Sequence, residues 1–487
     1  MLHQQQLWFH NSCVNTTVGA LDSRRKTIIL ISCCLSLLIA SMDATIVNVA
    51  IPSIRADFGA SPAQMQWVVD VYTLVLASLL MLSGATGDRF GRRRVFQIGL
   101  TVFVFGSLLC SLAPTADALI GARLLQGIGG SMLNPVALSI ISQVFTGRVE
   151  RARALGLWGA VVGISMALGP TVGGLLIQTV GWRAVFWINL PICLAAIVLT
   201  AIFVPESKSA TMRNIDPVGQ GLAVLFLFSL VFTLIEGPGM GWTSVRTVSI
   251  AVLAVAALVA FLRYERRRHD PFIDLRFFRS IPFASATVTA ILAFTGWGAF
   301  LFIMSFYLQT DRHYSDIHTG LIYLPIAVGA LIFSPLSGRI VGRYGARPSL
   351  LTAGVLMAAA ALLLTTLTGT TPIWHVVLIF TVYGMGFAMV NAPITNAAVS
   401  GMPVDRAGAA AAVTSTSRQV GVSIGVALCG SIAGPALSGT ADFGIQARPL
   451  WWMCLGVGLA IVALGGVSTS QRALRSAERL PPLIEGT

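Results

Sequence analysis

Runs of about 20 apolar residues recur along almost the whole chain, separated by short breaks rich in charge, glycine or proline. A run of that length matches a hydrocarbon core of about 30 Å at 1.5 Å of rise per residue. No water is present there to satisfy peptide groups, so each run must be helical. The runs fall at 27–50, 64–86, 95–113, 117–143, 153–178, 183–204, 218–236, 245–263, 283–308, 319–341, 348–368, 373–398, 407–433 and 449–468. The expected fold is an all-α polytopic membrane protein with about fourteen transmembrane helices. Only 10% of the residues are charged, against about 25% in a soluble domain.

An even number of spans places both termini on one side. With the N-terminus in the cytoplasm, about 25 of the 32 Lys and Arg fall in cytoplasmic segments. The inverted topology breaks the positive-inside rule almost everywhere. The net charge of +13 therefore records topology, and no nucleic-acid partner is needed to explain it. The first 26 residues are polar, carry no signal-peptide cleavage pattern and read as a cytoplasmic tail. Six cysteines (Cys33, Cys34, Cys110, Cys193, Cys429, Cys454) lie in apolar spans and Cys13 in the tail, with no metal-ligand or disulfide spacing. No cofactor is expected, and neither a nucleophile–base set nor a metal site stands out, which argues against an enzyme.

Two strings recur. GATGDRFGRRRV (Gly84 to Val95) follows the second run, and GRIVGRYGARPSL (Gly338 to Leu350) follows the tenth. QGIGGSMLNP (Gln126 to Pro135) is echoed by YGMGFAMVNAP (Tyr383 to Pro393). Two matches in the same order indicate a duplicated unit, with a site expected near the midplane between the copies. The chain then divides into a tail (1–26), a six-helix half (27–204), a linker with two inserted spans (205–281), a second six-helix half (282–468) and a C-terminal tail (469–487). The copies differ in charge: Asp88 corresponds to Gly342 and Arg123 to Phe380, which places the chemistry in the first half.

Charged groups inside the runs are costly, about 2.5–3.5 kcal/mol each on insertion scales, so each is a candidate site. Asp43 and Asp70 are the acids clearly inside spans, with Glu236 at the end of the seventh; Arg123 and Arg418 are the intramembrane bases. Asp43 lies nine residues before Pro52 and Asp70 about six after the second run begins. The two carboxylates should differ in depth by only about 5 Å and can face one cavity. Asn48 is a polar neighbour on the first run. Arg123, Gly127, Gly130 and Asn134 recur at helical spacing on one face of the fourth. Out of water a carboxylate favours its neutral form, while a nearby cation favours the charged one. A proton and an organic cation therefore compete for the same group.

Four signatures in order, MDATIVNVAIP, GATGDRFGRRR, ARLLQGIGGSML and GISMALGPTVGGLL, resemble the major facilitator superfamily, specifically its fourteen-helix drug:proton antiporters. The acid in QWVVDVYTL is similar to that of antiseptic and methylenomycin-type exporters. The resemblance implies a conformational latch at Gly84, Asp88, Arg89, Gly91 and Arg92, joining the halves in the outward-open state. It implies an antiporter motif at Gly163, Gly169, Pro170, Gly173 and Gly174, and a part in proton transfer for Arg123. Pro170 also frees the carbonyl of Met166. Arg418, in STSRQVGVSIG, reads as structural or gating.

The expected function is proton-coupled export of small amphipathic, mainly cationic drugs, antiseptics or dyes by alternating access. The expected location is the bacterial inner membrane, as a monomer with protons and the lipid bilayer as its other partners. The alternatives are a dedicated exporter of one endogenous metabolite or antibiotic, and a proton-coupled nutrient symporter, which the fifth-run signature opposes.

Overall fold

The computed structural model describes residues 22–208, 216–268, 273–400, 402, 407–438 and 443–478. Most of the N-terminal tail with Cys13, parts of the linker and residues 479–487 lie outside these. Among the described residues the regular structure is helical throughout, with no strand. The helices of eight or more residues are α1 (Ser23–Phe58), α2 (Pro62–Phe90), α3 (Arg92–Leu112), α4 (Ala116–Val144), α5 (Arg148–Val180), α6 (Ala184–Phe203), α7 (Pro217–Met240), α8 (Val245–Arg267), α9 (Ile281–Asp311), α10 (Asp316–Tyr344), α11 (Ala346–Leu364), α12 (Ile373–Val399), α13 (Ala407–Ser438), α14 (Arg448–Ser468) and α15 (Gln471–Glu478).

Twelve of these are long and apolar enough to cross a membrane. Two further long helices, α5 with 33 residues and α13 with 32, occupy the places of the fifth and thirteenth expected spans. This arrangement is consistent with fourteen crossings.

Local chemistry sets the helix ends. Ser61 opens α2 with a reciprocal capping box to Gln64 and Pro62 in the first turn. Thr115 caps α4 and Asp216 caps α7. The duplicated strings end their helices alike: Gly91 after α2 has φ +115° and Gly345 after α10 has φ +80°. Both turns use a conformation that an L side chain rarely adopts. Apolar counting ended the first span at 50, yet α1 runs through Pro52 to Phe58. Val49, Ile51 and Ile54 are fully buried, so packing continues the helix beyond the proline.

Helices α1–α6 pack largely among themselves, as do α9–α14, while α8 packs chiefly on α7. Glycine governs the closest approaches. A Cβ at Gly129 of α4 would lie 2.8 Å from Phe103 Cα on α3, and one at Gly106 would lie 2.7 Å from Gln126 Cα. Small residues let the backbones of adjacent membrane helices touch, where van der Waals contact is a main source of association.

At Gly129, valine should overpack the α3–α4 contact and cost about 1–3 kcal/mol. Gly121 of the same helix faces open space, so Gly121→Ala should be neutral or stabilising by up to about 1 kcal/mol. Thermal unfolding of the two purified variants in detergent separates these outcomes. Equal midpoints would mean that the backbone contact contributes nothing.

Candidate functional site

Arg123 is buried on α4 at 1% exposure, and Asp43 is fully buried on α1. The Arg123 Nη1 donates to Asp43 Oδ2 in a direct ion pair. The other carboxylate oxygen accepts from Gln126 Nε2 at 2.9 Å and from Asn189 Nδ2 of α6 at 3.1 Å. Arg123 also donates to Gln126 Oε1 at 2.8 Å and, through Nε, to the Val68 carbonyl of α2 at 3.1 Å. Its guanidinium lies 4.2 Å from the centre of the Tyr72 ring. Ser107 of α3 closes the network, accepting from Gln126 at 3.2 Å and from Asn189 at 2.9 Å. Five helices of the first half meet at this pair, and both charges are compensated inside that half.

Glycines of α5 bring α1 to this point. A Cβ at Gly169 would collide with Thr45 Oγ1 and lie 3.1 Å from the Met42 carbonyl, beside Asp43. One at Gly173 would lie 2.7 Å from Ile46. Gly174 faces the opposite way, onto the backbone of Asp316 in α10, and Thr171 donates to the Gly320 carbonyl at 2.9 Å. The stretch around Pro170 thus wedges between α1 and α10. The Ile317 N–H donates to Gln178 at 3.2 Å, and Gln309 of α9 donates to the Val49 carbonyl at 2.8 Å. These contacts seal the halves together at the bundle end that carries the α1–α2 turn. Gly163 lies further back on α5.

Asp70 is also fully buried, but its surroundings differ. Its α2 face packs against α13: Gln66, one turn earlier, donates to the carbonyls of Val426 at 2.6 Å and Ala427 at 3.1 Å. Thr73 donates weakly to Asp70 Oδ1 at 3.4 Å. The Ser423 side chain faces the carboxylate from α13. Neither Asp70 Oδ2 nor Ser423 Oγ completes a hydrogen bond among the described residues. The expectation that Asp43 and Asp70 face one cavity is corrected here. Asp43 points into the first half, whereas Asp70 points across the seam between halves. Helical rise says nothing of how each helix is rotated about its axis, and that rotation decides where the carboxylates point.

The α2–α3 turn is tied within its own half. Asp88 Oδ1 accepts from Arg92 Nη2 at 2.8 Å, and Arg92 also donates to Gln143 of α4 at 3.0 Å. Glu206, after α6, accepts from the backbone N–H groups of Arg93 and Arg94 at 3.2 and 3.3 Å. Gly84 and Gly87 sit against Pro135 and Val136 of α4, and Arg89 is exposed. Glu206 also stands where a Cβ at Gly91 would go.

The other intramembrane polar residues are dispersed. Asn48 donates to the Ala44 carbonyl of its own helix at 3.2 Å, and Asn134 is half-buried on α4. Glu236 accepts from Trp67 Nε1 at 2.8 Å, tying α7 to α2. Arg418 donates to Thr395 of α12 at 2.7 Å. Sequence reasoning overlooked Gln126, Asn189 and Ser107, although each is a polar residue inside an apolar run. Phe380, the counterpart of Arg123, packs at 4.9 Å from both the Phe300 and Tyr323 rings. The second half thus fills this place with aromatic carbon instead of an ion pair.

Residues 33–426 match the family model described as Major Facilitator Superfamily. The multidrug resistance protein Stp of Mycobacterium tuberculosis is 37% identical over 86% of this chain and 78% of its own. The methylenomycin A resistance protein of Streptomyces coelicolor is 35% identical over 90% and 91%. The tetracenomycin C resistance and export protein of Streptomyces glaucescens is 35% identical over 82% and 74%. Among solved structures, a bacterial homologue of the human lysosomal transporter Spinster, in an inward-facing and unoccupied conformation, aligns with a TM-score of 0.60. It shares 16% identity and covers 94% of this chain and 98% of that one, a likeness of fold alone.

Removing either member of the Asp43–Arg123 pair should cost about 3–5 kcal/mol, because it strands a buried charge. The double variant Asp43→Leu with Arg123→Met removes both charges and should lose much less than the sum of the single changes. Equilibrium unfolding in detergent gives the coupling energy. Additive losses would mean that the two side chains do not depend on each other.

Proposed function

Because the chain belongs to the major facilitator superfamily, and its relatives are named for drug and antibiotic resistance, we propose that it exports small amphipathic compounds in exchange for protons. It is a multi-pass inner-membrane transporter, not an enzyme. The proposed arrangement is two six-helix halves with α7 and α8 inserted between them, acting as a monomer with both termini in the cytoplasm. In that topology the sealed end of the bundle is extracellular, and this conformation is the one loaded from the cytoplasm.

One observation carries the coupling: Asp70 is a fully buried carboxylate on the seam between α2 and α13, with one oxygen left without a hydrogen bond among the described residues. A group so placed can take a proton or the cationic end of a substrate, but not both. Opening and closing of the seam would expose it to each side in turn. Asp43 supplies a second, latent proton site, since protonating it would release Arg123 from its carboxylate. The Asp88 turn, whose hydrogen bonds described above stay within the first half, is free to engage the second half when the cytoplasmic side closes.

Exchange of one proton for one monovalent cation is electroneutral and yields about 1.36 kcal/mol per pH unit. A hundredfold gradient of substrate requires about 2.7 kcal/mol. A second proton makes the cycle electrogenic and adds about 2.3 kcal/mol per 100 mV. Titration of both Asp43 and Asp70 would allow that cycle.

The relatives named for resistance to methylenomycin A and tetracenomycin C favour a second reading, a dedicated exporter of one compound. A susceptibility panel on a deletion strain distinguishes them: sensitivity to many unrelated compounds supports the multidrug reading, and sensitivity to one supports the other.

Efflux of ethidium from loaded, energised cells should stop when a protonophore is added. Asp70→Asn should weaken ethidium affinity at least tenfold and reduce the response to membrane potential. Asp88→Asn should keep affinity but slow turnover, because it acts on the conformational equilibrium. Efflux that survives the protonophore would sink the antiport reading, and an Asp70→Asn protein with wild-type affinity and efflux would reduce the acid to a structural residue.

A further inference from the structure

Arg418 is the second intramembrane arginine, and its situation is the reverse of that of Arg123. It lies eleven residues into α13 and is half-buried. Among the described residues no ion pair includes it. The hydroxyl of Thr395 on α12 accepts from its Nη2 at 2.7 Å. Its Nε is buried with no hydrogen-bond partner among the described residues, and its guanidinium stands 5.8 Å from the centre of the Phe294 ring on α9. A guanidinium has five N–H donors in a planar fork suited to carboxylate oxygens. Among the described residues one neutral hydroxyl and one ring face serve it, and no carboxylate pairs with the charge, in a setting where such charges are ordinarily paired.

Asp70 does not supply the missing charge. It faces Ser423, five residues along α13 from Arg418, hence about 140° around the helix. Arg418 is directed instead towards α9 and α12, where Thr395 is exposed. The hydroxyl that receives the guanidinium therefore borders accessible space. An apolar ring, a neutral hydroxyl and an unneutralised planar cation at one accessible spot make a site for an anion attached to an apolar body.

We propose that Arg418, with Thr395 and Phe294, is a subsite for the acidic group, a carboxylate or phenolate, of an exported aromatic compound. This rests on the export reading above and extends its substrate class beyond cations: Asp70 serves a basic group and Arg418 an acidic one, on opposite sides of α13. The side chain of Arg418 completes its fork on the ligand, and Thr395 holds the guanidinium in place meanwhile.

The test uses the full-length protein in nanodiscs of neutral lipid, with 1-pyrenebutyric acid and its methyl ester as fluorescent probes. Wild type should bind the acid at least tenfold more tightly than the ester. Arg418→Gln should bring that ratio to about one, and Arg418→Lys should restore part of it, as a lysine keeps the charge without the fork. Ester binding reports that each variant is folded. A wild-type ratio near one, or a ratio that Arg418→Gln leaves intact, overturns the proposal. So does loss of the wild-type preference when phosphatidylglycerol is added to the nanodiscs, since a lipid headgroup would then occupy the arginine. A binding preference that obeys Arg418, in a protein whose cells export neither ethidium nor the acid, would uphold the subsite and reject the multidrug reading.

Discussion

A bare charge in hydrocarbon is the condition around which this molecule is organised. Arg123 can lie at the centre of the first half because Asp43, Gln126, a backbone carbonyl and the Tyr72 ring surround it. Asp43 in turn is held by Asn189, itself anchored on Ser107. Each member satisfies a group that would otherwise be stranded, so α1, α2, α3, α4 and α6 are fixed relative to one another by polar contacts in a non-polar medium. The second half reaches the same architecture differently, with Phe300, Tyr323 and Phe380 filling the corresponding place. An ion pair in the first half thus corresponds to packed rings in the second.

The seam between the two groups of helices is built differently from either interior. At one end Gly174 and Gly320 let α5 and α10 meet backbone to backbone, with few side-chain atoms to disengage. Along α2 and α13 Gln66 donates to two carbonyls, and deeper in Asp70 Oδ2 and Ser423 Oγ have no hydrogen bond among the described residues. Helix α7 touches both sides, through Trp67 of α2 and through Ser431 of α13, which donates to the Leu234 carbonyl at 2.6 Å. The inserted pair therefore spans the seam at its edge.

The charges divide accordingly. Asp43 and Arg123 are paired and sealed inside the first half, whereas among the described residues neither Asp70, on the seam, nor Arg418, on the far side of α13, makes an ion pair. Glycine spacing serves the same division. In α5, Gly169 and Gly173 face α1 within the half, and Gly174 faces α10 across the seam.

Much of this was legible in the chain. The apolar runs predict the helices because a membrane leaves no other way to satisfy the backbone, and each expected span coincides with a helix to within a few residues at most ends. The duplicated strings point to a repeated unit, and their aligned glycines, Gly91 and Gly345, both take a positive φ. Rarity alone marked Asp43, Asp70, Arg123 and Arg418, since composition shows what is costly. What the chain could not disclose was who neutralises whom. Asp43 and Arg123 stand 80 residues apart and Asn189 another 66 beyond. Whether Asp70 faces the same space as Asp43 depends on how each helix is rotated about its axis. Hydropathy fixes depth along the bilayer normal, because that is where water ends. Rotation and partner choice come from side chains on other helices, and only the packed tertiary structure decides them.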